Sequence, residues 1–189
     1  VKDTKIGFLN RYNLNKLNFA FDIKDKEYKL YNITASINKI PTTSEEIVVK
    51  KIDNKFFVSG DFANKQIDLK KDEIKILLKS YLGGLNIKKI KLESKNKFSF
   101  KLGKKLDIDE LKLSSEINLI NLSIFNNLNL YEFFPNSKEE INLNDHSLKI
   151  DYVKKKLSIN GKGKILLQEN EDQINYSKLK ENKKYKFQT

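Results

Sequence analysis

Apolar and polar residues alternate with a period of two along most of the 189-residue chain. Successive side chains of a β-strand point to opposite faces, so this period predicts strands with one apolar and one polar face. The alternation predicts roughly fifteen short strands. Its clearest runs are 17–23, 31–37, 56–58, 98–102, 111–113, 117–119, 148–152, 157–159 and 165–167. Polar segments between runs predict tight hairpin turns at 24–26, 53–55, 95–97 and 154–156. The fold class is therefore mainly β, a long antiparallel meander.

The apolar stripe of such a meander must be covered. Leaving a Leu, Ile or Phe side chain in water costs about 1.5–3 kcal/mol relative to burying it. One or two short helices cannot cover so many strands. The sheet is therefore expected either to close into a sandwich or barrel, or to curl into an elongated, taco-like groove. In the second case the apolar side chains would meet a lipid or a protein partner. The residues alone leave both arrangements open.

Two segments depart from the alternation. Ile74, Leu77, Leu78, Tyr81 and Leu82 have helical spacing, between Asp72-Glu73 and Gly83-Gly84, and predict a short helix over 72–82. Segment 122–136 fits either a strand and loop or a second short helix that ends before Pro135. Its Phe133-Phe134-Pro135 tip is predicted to pack into the core, and the alternatives are a lip of the groove or a loop that touches a membrane.

The net charge of +12 raises the question of nucleic-acid binding. Arg11 is the only arginine among the 37 basic residues, and the lysines are scattered along the chain among Asn, Asp and Glu. Proteins that grip phosphates or read bases favour arginine forks. We therefore expect solvated lysines and no nucleic-acid partner. The chain has no apolar run that approaches the 18 or so residues of a membrane-spanning helix.

No motif for catalysis is present, so we expect no enzyme, no catalytic residue, no metal and no cofactor. The Gly161-Lys162-Gly163-Lys164 stretch lacks the P-loop spacing and precedes another strand, so its glycines predict a bulge or a close approach. The acidic segment 107–110 fails the EF-hand frame, because Lys112 stands where that frame needs glycine. There is no cysteine, and His146, the single histidine, is predicted to lie in a turn.

A weak internal similarity suggests two repeats, 17–62 and 96–163, in which Gly60 of "FFVSGDF" aligns with Gly161 of "LSINGKG". Residues 1–189 are otherwise predicted to form a single unit. The chain opens on Val1 rather than Met, so we expect an internal fragment of a longer protein.

The second half of the chain resembles the AsmA-like family, envelope proteins of the YhdP/TamB type. The resemblance lies in the order and rhythm of "NKFSFKL", "LKLSSEINL", "LYEFFP", "DHSLKIDYVKKKLSINGKGKILL" and "DQINYSKLKENKKYKF". It covers about residues 90–189 best, and segment 17–62 fits more loosely. These motifs carry no catalytic signature.

The resemblance implies a β-groove in the periplasm that moves phospholipid between the inner and outer membranes without chemistry. The full-length protein would be anchored in the inner membrane and could have envelope protein partners. The side chains expected to contact acyl chains are Phe19, Phe21, Ile23, Phe98, Phe100, Leu102, Leu157, Ile159, Ile165 and Leu167. The alternatives are a structural or adhesive β-sandwich or β-solenoid and, less favoured, a basic nucleic-acid-binding β-domain.

Overall fold

The computed structural model describes residues 4–8, 12–78, 86–105, 107–125, 130–181 and 184–189. These residues form one antiparallel sheet of eleven strands, in which the strand order follows the chain. The strands are β1 Thr4–Phe8, β2 Tyr12–Lys24, β3 Glu27–Ile37, β4 Ile40–Ile52, β5 Lys55–Lys70, β6 Ile87–Leu102, β7 Ile108–Phe125, β8 Glu140–Val153, β9 Lys156–Leu166, β10 Glu171–Glu181 and β11 Lys184–Gln188. Helix α1 spans Lys71–Leu78, and Leu130–Glu132 forms a single 3-10 turn.

The predicted meander is confirmed, but its strands are fewer and longer than expected. Strand β7 alone has 18 residues and joins several of the predicted short runs. The hairpin predicted at 95–97 is wrong, because Asn96 lies inside β6, opposite Phe62 of β5 and Ser115 of β7. Its amide donates to the carbonyl oxygen of Phe62 at 3.2 Å, so a polar residue is accommodated without a turn.

Three of the predicted turns are confirmed, at 24–26, 53–55 and 154–156. Asp25 and Asp53 have φ values of 53° and 54°, and Lys154 and Lys155 have 51° and 64°. Lys154 and Lys155 are two consecutive residues with positive φ, which is the type I′ turn whose twist matches that of a hairpin. The chain makes these turns without glycine.

The sheet is open. In the described residues β1 pairs only with β2 and β11 only with β10, so the terminal strands do not meet. The accessible surface is 13823 Å². A compact monomer of 22.1 kDa would expose only about 9,300 Å². A closed sandwich or barrel is therefore excluded, and the fold is the long, curling, groove-like meander.

A small core forms where α1 lies against β5 and β6. Ile74 of the helix is 1% exposed and packs with Leu69 and Ile87. The carboxylate of Glu73 accepts a hydrogen bond from the backbone N–H of Lys70 at 3.0 Å, which caps the start of the helix. The predicted helix is thus confirmed for its described part, which begins at residue 71. Residues 79–82 and the predicted glycine stop lie outside the described residues.

Segment 122–136 divides between two conformations. Residues 122–125 complete β7, 126–129 lie outside the described residues, and the 3-10 turn follows. The backbone N–H groups of Phe133 and Phe134 both donate to the carbonyl of Leu130, which makes a tight surface turn. Phe133 is 77% exposed and Phe134 39% exposed, so the prediction that this tip packs into the core is wrong.

Candidate functional site

The candidate site is a row of side chains that crosses the sheet at right angles to its strands. Residues directly opposite each other in neighbouring strands project from the same face. The register places ten such residues in succession: Phe21, Leu30, Ile47, Gly60, Phe98, Leu113, Tyr152, Leu157, Lys180 and Tyr185. We call them the cross-strand row, and the side of the sheet that carries them the apolar face. Nine inter-strand steps of about 4.8 Å make the row about 43 Å long.

No member of the cross-strand row is buried. Both of its ends are open, with Phe21 57% and Tyr185 59% exposed. A sheet of comparable length in a sandwich would bury this row against a second layer. Here the apolar side chains lie in a surface that no other described element covers.

The sequence-predicted lipid contacts converge on this face. Phe21, Phe98 and Leu157 belong to the cross-strand row itself. Ile23 and Phe100 are the two ends of a second row on the same face, in which Tyr28, Val49 and Val58 lie between them. The other predicted residues that project from the apolar face are Phe19, Leu102, Ile159 and Ile165.

Leu167 is the exception among the predicted contacts. It follows the end of β9 and lies in a bend, where its carbonyl accepts a hydrogen bond from Lys138 at 2.8 Å. The structure therefore does not place Leu167 in a strand with the other predicted contacts.

Several residues of the site could not be assigned from sequence. Leu30, Ile47, Leu113 and Tyr152 also belong to the row, although the predicted set omits them. They belong to the same alternating runs, which is a usable signal. Their alignment depends on the pairing register, however, and bulges along the strands shift that register.

An aromatic cluster lies at the middle of the row. The rings of Phe98 and Phe100 stack with centroids 6.0 Å apart, and Phe62 lies 6.2 Å from Phe98. Such distances suit favourable ring pairs. All three side chains are half-buried and keep part of their surface open to a ligand.

A band of polar side chains bounds the open part of the apolar face. The Asn64 amide donates to Thr42 Oγ1 at 2.8 Å, Ser94 Oγ donates to Asn64 Oδ1 at 3.3 Å, and the Asn96 amide donates to Ser94 Oγ at 3.1 Å. Ser115, opposite Asn96, is also buried. We call Thr42, Asn64, Ser94, Asn96 and Ser115 the polar belt. Beyond it, towards Ile67 and Leu69, the face is covered by α1.

His146 is buried on the apolar face within β8, so its prediction as a turn residue is wrong. It lies opposite Leu119, and its Nε2 is 2.8 Å from the carbonyl oxygen of Lys164. A Cβ at Gly163 would lie 2.4 Å from the His146 ring, so the glycine makes room for that ring. A Cβ at Gly161 would lie 2.5 Å from the Tyr176 ring. Burial raises the pKa of Tyr176. Both glycines thus mark close approaches, as predicted.

Opposite charges are paired on the polar face. Lys50 binds Glu27 at 2.7 Å, and Lys88 binds Glu140 at 2.6 Å. The hydrogen bond from Lys88, with a second from Ser123, holds the pKa of Glu140 below its ordinary value. A polar-face cavity of about 940 Å³ is lined by residues that include Lys95 and Glu116, which are of opposite sign. This face presents mixed charge rather than a patch of lysines.

The described residues contain no group of three or more potential metal ligands. Within the same part of the chain, no helix has the length and apolarity to cross a membrane. No protein-family model, curated protein or solved structure matches the chain. The resemblance to the AsmA-like family therefore stays a prediction.

Proposed function

We propose that the chain binds the acyl chains of lipids on its apolar face and carries out no chemistry. The observation that supports this proposal is the cross-strand row, which runs through ten strands, is apolar or aromatic except for Gly60 and Lys180, and contains no buried residue. An uncovered apolar patch of this length on a protein is a binding surface or a cause of aggregation.

The dimensions of the row fit an acyl chain. The hydrocarbon core of a bilayer is about 30 Å thick, so the chains of one leaflet span about 15 Å. The part of the row from Phe21 to Leu157, seven inter-strand steps or about 34 Å, can therefore hold about two acyl chains end to end. Each methylene removed from water contributes about 0.8 kcal/mol, so ten covered methylenes contribute about 8 kcal/mol before the cost of association.

We further propose that the chain is a segment of an AsmA-like envelope protein. In that setting it would lie in the periplasm, in a full-length protein anchored in the inner membrane, and phospholipid would pass along the row between the two membranes. The open sheet, rather than a closed core, is the feature that supports this proposal. Nucleic acid is not part of the proposal, because lysines of the polar face are interleaved with carboxylates in cross-strand ion pairs.

The test is lipid extraction and mass spectrometry of the purified protein. We expect wild-type protein to carry phospholipid and Phe100→Asp to lose most of it, because a carboxylate on the apolar face cannot be buried against an acyl chain. Phe57→Asp is the matched control. Phe57 is also a half-buried phenylalanine, but it lies on the polar face between Lys50 and Lys101.

Phe57→Asp should retain its lipid. A lipid-free wild-type protein whose apolar face is covered by a second copy would overturn the proposal. Equal lipid loss in both folded variants would do the same. Circular dichroism of each variant checks that it is folded.

A further inference from the structure

Two lysines lie on the apolar face near the β11 end of the cross-strand row: Lys180 is a member of the row, and Lys178 lies beside it. Lys180 lies opposite Leu157, and Lys178 lies opposite Ile159, so both project from the side that carries the apolar residues. Elsewhere along the row the side chains are apolar or aromatic, apart from Gly60. The row is therefore polarised, with hydrocarbon along most of its length and positive charge at the β10–β11 end.

These two lysines have no carboxylate partner among the ion pairs of the described residues. Each instead lies over the ring of Tyr185, with its Nζ 5.4 Å (Lys178) or 5.2 Å (Lys180) from the centroid. A tyrosine ring attracts a cation but does not neutralise its charge. Both lysines therefore keep a full positive charge that can meet an anion.

The spacing of the lysines suits a single phosphate. Residues two apart on one face of a strand are about 6.8 Å apart along the backbone, and each lysine stem can bring its ammonium group inwards. Lysine binds phosphate as a flexible point charge. Tyr185 and Phe187 beside them are 59% and 66% exposed, and their rings suit the boundary between apolar chains and a polar headgroup.

We propose that Lys178 and Lys180 bind the phosphate of a lipid headgroup whose acyl chains lie along the cross-strand row from Leu157 towards Phe98. This inference rests on the proposed function, because it assumes that acyl chains occupy the row. It adds the residues that bind the phosphate of the lipid and the direction in which that lipid lies.

The experiment compares two lipids with identical oleoyl chains, phosphatidic acid and diacylglycerol, which differ only in the phosphate. Their dissociation constants are measured in mixed micelles for the wild-type protein and for K178Q/K180Q. The matched control is K149Q/K162Q, which removes two exposed lysines from the polar face with the same change in net charge. K178R/K180R keeps the charge on the apolar face.

Each lysine close to an anionic lipid contributes about fivefold in affinity, so wild-type protein should bind phosphatidic acid about 30-fold more tightly than diacylglycerol. K178Q/K180Q should bind both lipids equally. K149Q/K162Q and K178R/K180R should keep the preference. A preference retained by K178Q/K180Q, or lost equally in K149Q/K162Q, would overturn the headgroup site.

Diacylglycerol separates this inference from the proposed function. If wild-type protein binds diacylglycerol and phosphatidic acid equally, the headgroup site is wrong and acyl-chain binding stands. If it binds neither lipid, both proposals fail. Inorganic phosphate should not compete at millimolar concentration, and full competition would identify a site for a free anion instead.

Discussion

The same substitution at two isoleucines tests whether the apolar face is uncovered. Ile74 lies in the small core under α1 and is 1% exposed, whereas Ile23 lies on the apolar face of β2 and is 56% exposed. Ile74→Ala and Ile23→Ala delete the same three carbon groups. Any difference in the free energy of unfolding therefore comes from the surroundings of each side chain.

The magnitudes follow from the exposed fractions. Three buried carbon groups at about 0.8 kcal/mol each give about 2.4 kcal/mol, and the cavity left at Ile74 adds about 1 kcal/mol. The better helix propensity of alanine returns about 0.4 kcal/mol, so Ile74→Ala should cost about 3 kcal/mol. At Ile23 the 44% that is buried gives about 1 kcal/mol, water fills the space, and the lost strand propensity adds a few tenths.

Urea unfolding of delipidated protein, followed by far-ultraviolet circular dichroism, measures both costs from the shift of the midpoint. We expect Ile23→Ala to cost less than half as much as Ile74→Ala. Equal costs of about 3 kcal/mol would mean that protein atoms cover Ile23. In that case the open sheet would be the wrong description of the folded chain.

Three further predictions concern other parts of the molecule. Gly163→Val places side-chain atoms against the His146 ring, so the free energy of unfolding should fall by about 1–3 kcal/mol in a urea titration, and no change would contradict this packing. Glu140→Gln removes an ion pair with Lys88 worth about 0.5–1 kcal/mol at pH 7. Because the folded-state pKa of Glu140 is lowered from 4.5, this stability is present above pH 4.5 and is lost as pH falls through the folded-state pKa. In urea titrations across this range, the free energies of unfolding of wild type and Glu140→Gln should converge as pH falls. A difference that stays constant with pH would refute the assignment. Phe133→Ser should change the free energy of unfolding by less than about 0.5 kcal/mol in a urea titration, because the ring is exposed. A cost above about 2 kcal/mol would place the ring in a core.

Local features of the fold were accessible from sequence. Alternation identifies the strands because one face of each strand is apolar, and polar residues at 24–26, 53–55 and 154–156 identify the hairpins. The spacing around Ile74 identifies the helix. These signals depend on neighbours within a few residues, which is why a single sequence contains them.

Long-range features were not accessible in the same way. Asn96 resembles a turn residue in sequence, yet it hydrogen-bonds across strands inside the polar belt. His146 resembles a turn residue for the same reason, and its burial depends on the glycine opposite it on β9. The choice between a closed and an open sheet depends on twist, register and bulges summed over eleven strands. Alternation is the same in both cases, so it could not decide between them.

The most direct test of acyl-chain binding is paramagnetic broadening of methyl resonances by a phospholipid that carries a nitroxide on its acyl chain. Ile47, Leu113 and Leu157 lie on the apolar face. Val153 and Leu179 lie on the polar face, in the two strands that flank Leu157. We predict that the first three methyl-bearing residues broaden strongly and that the last two keep their intensity. Equal broadening on both faces, or none on either, would contradict the proposal that lipid lies along the cross-strand row.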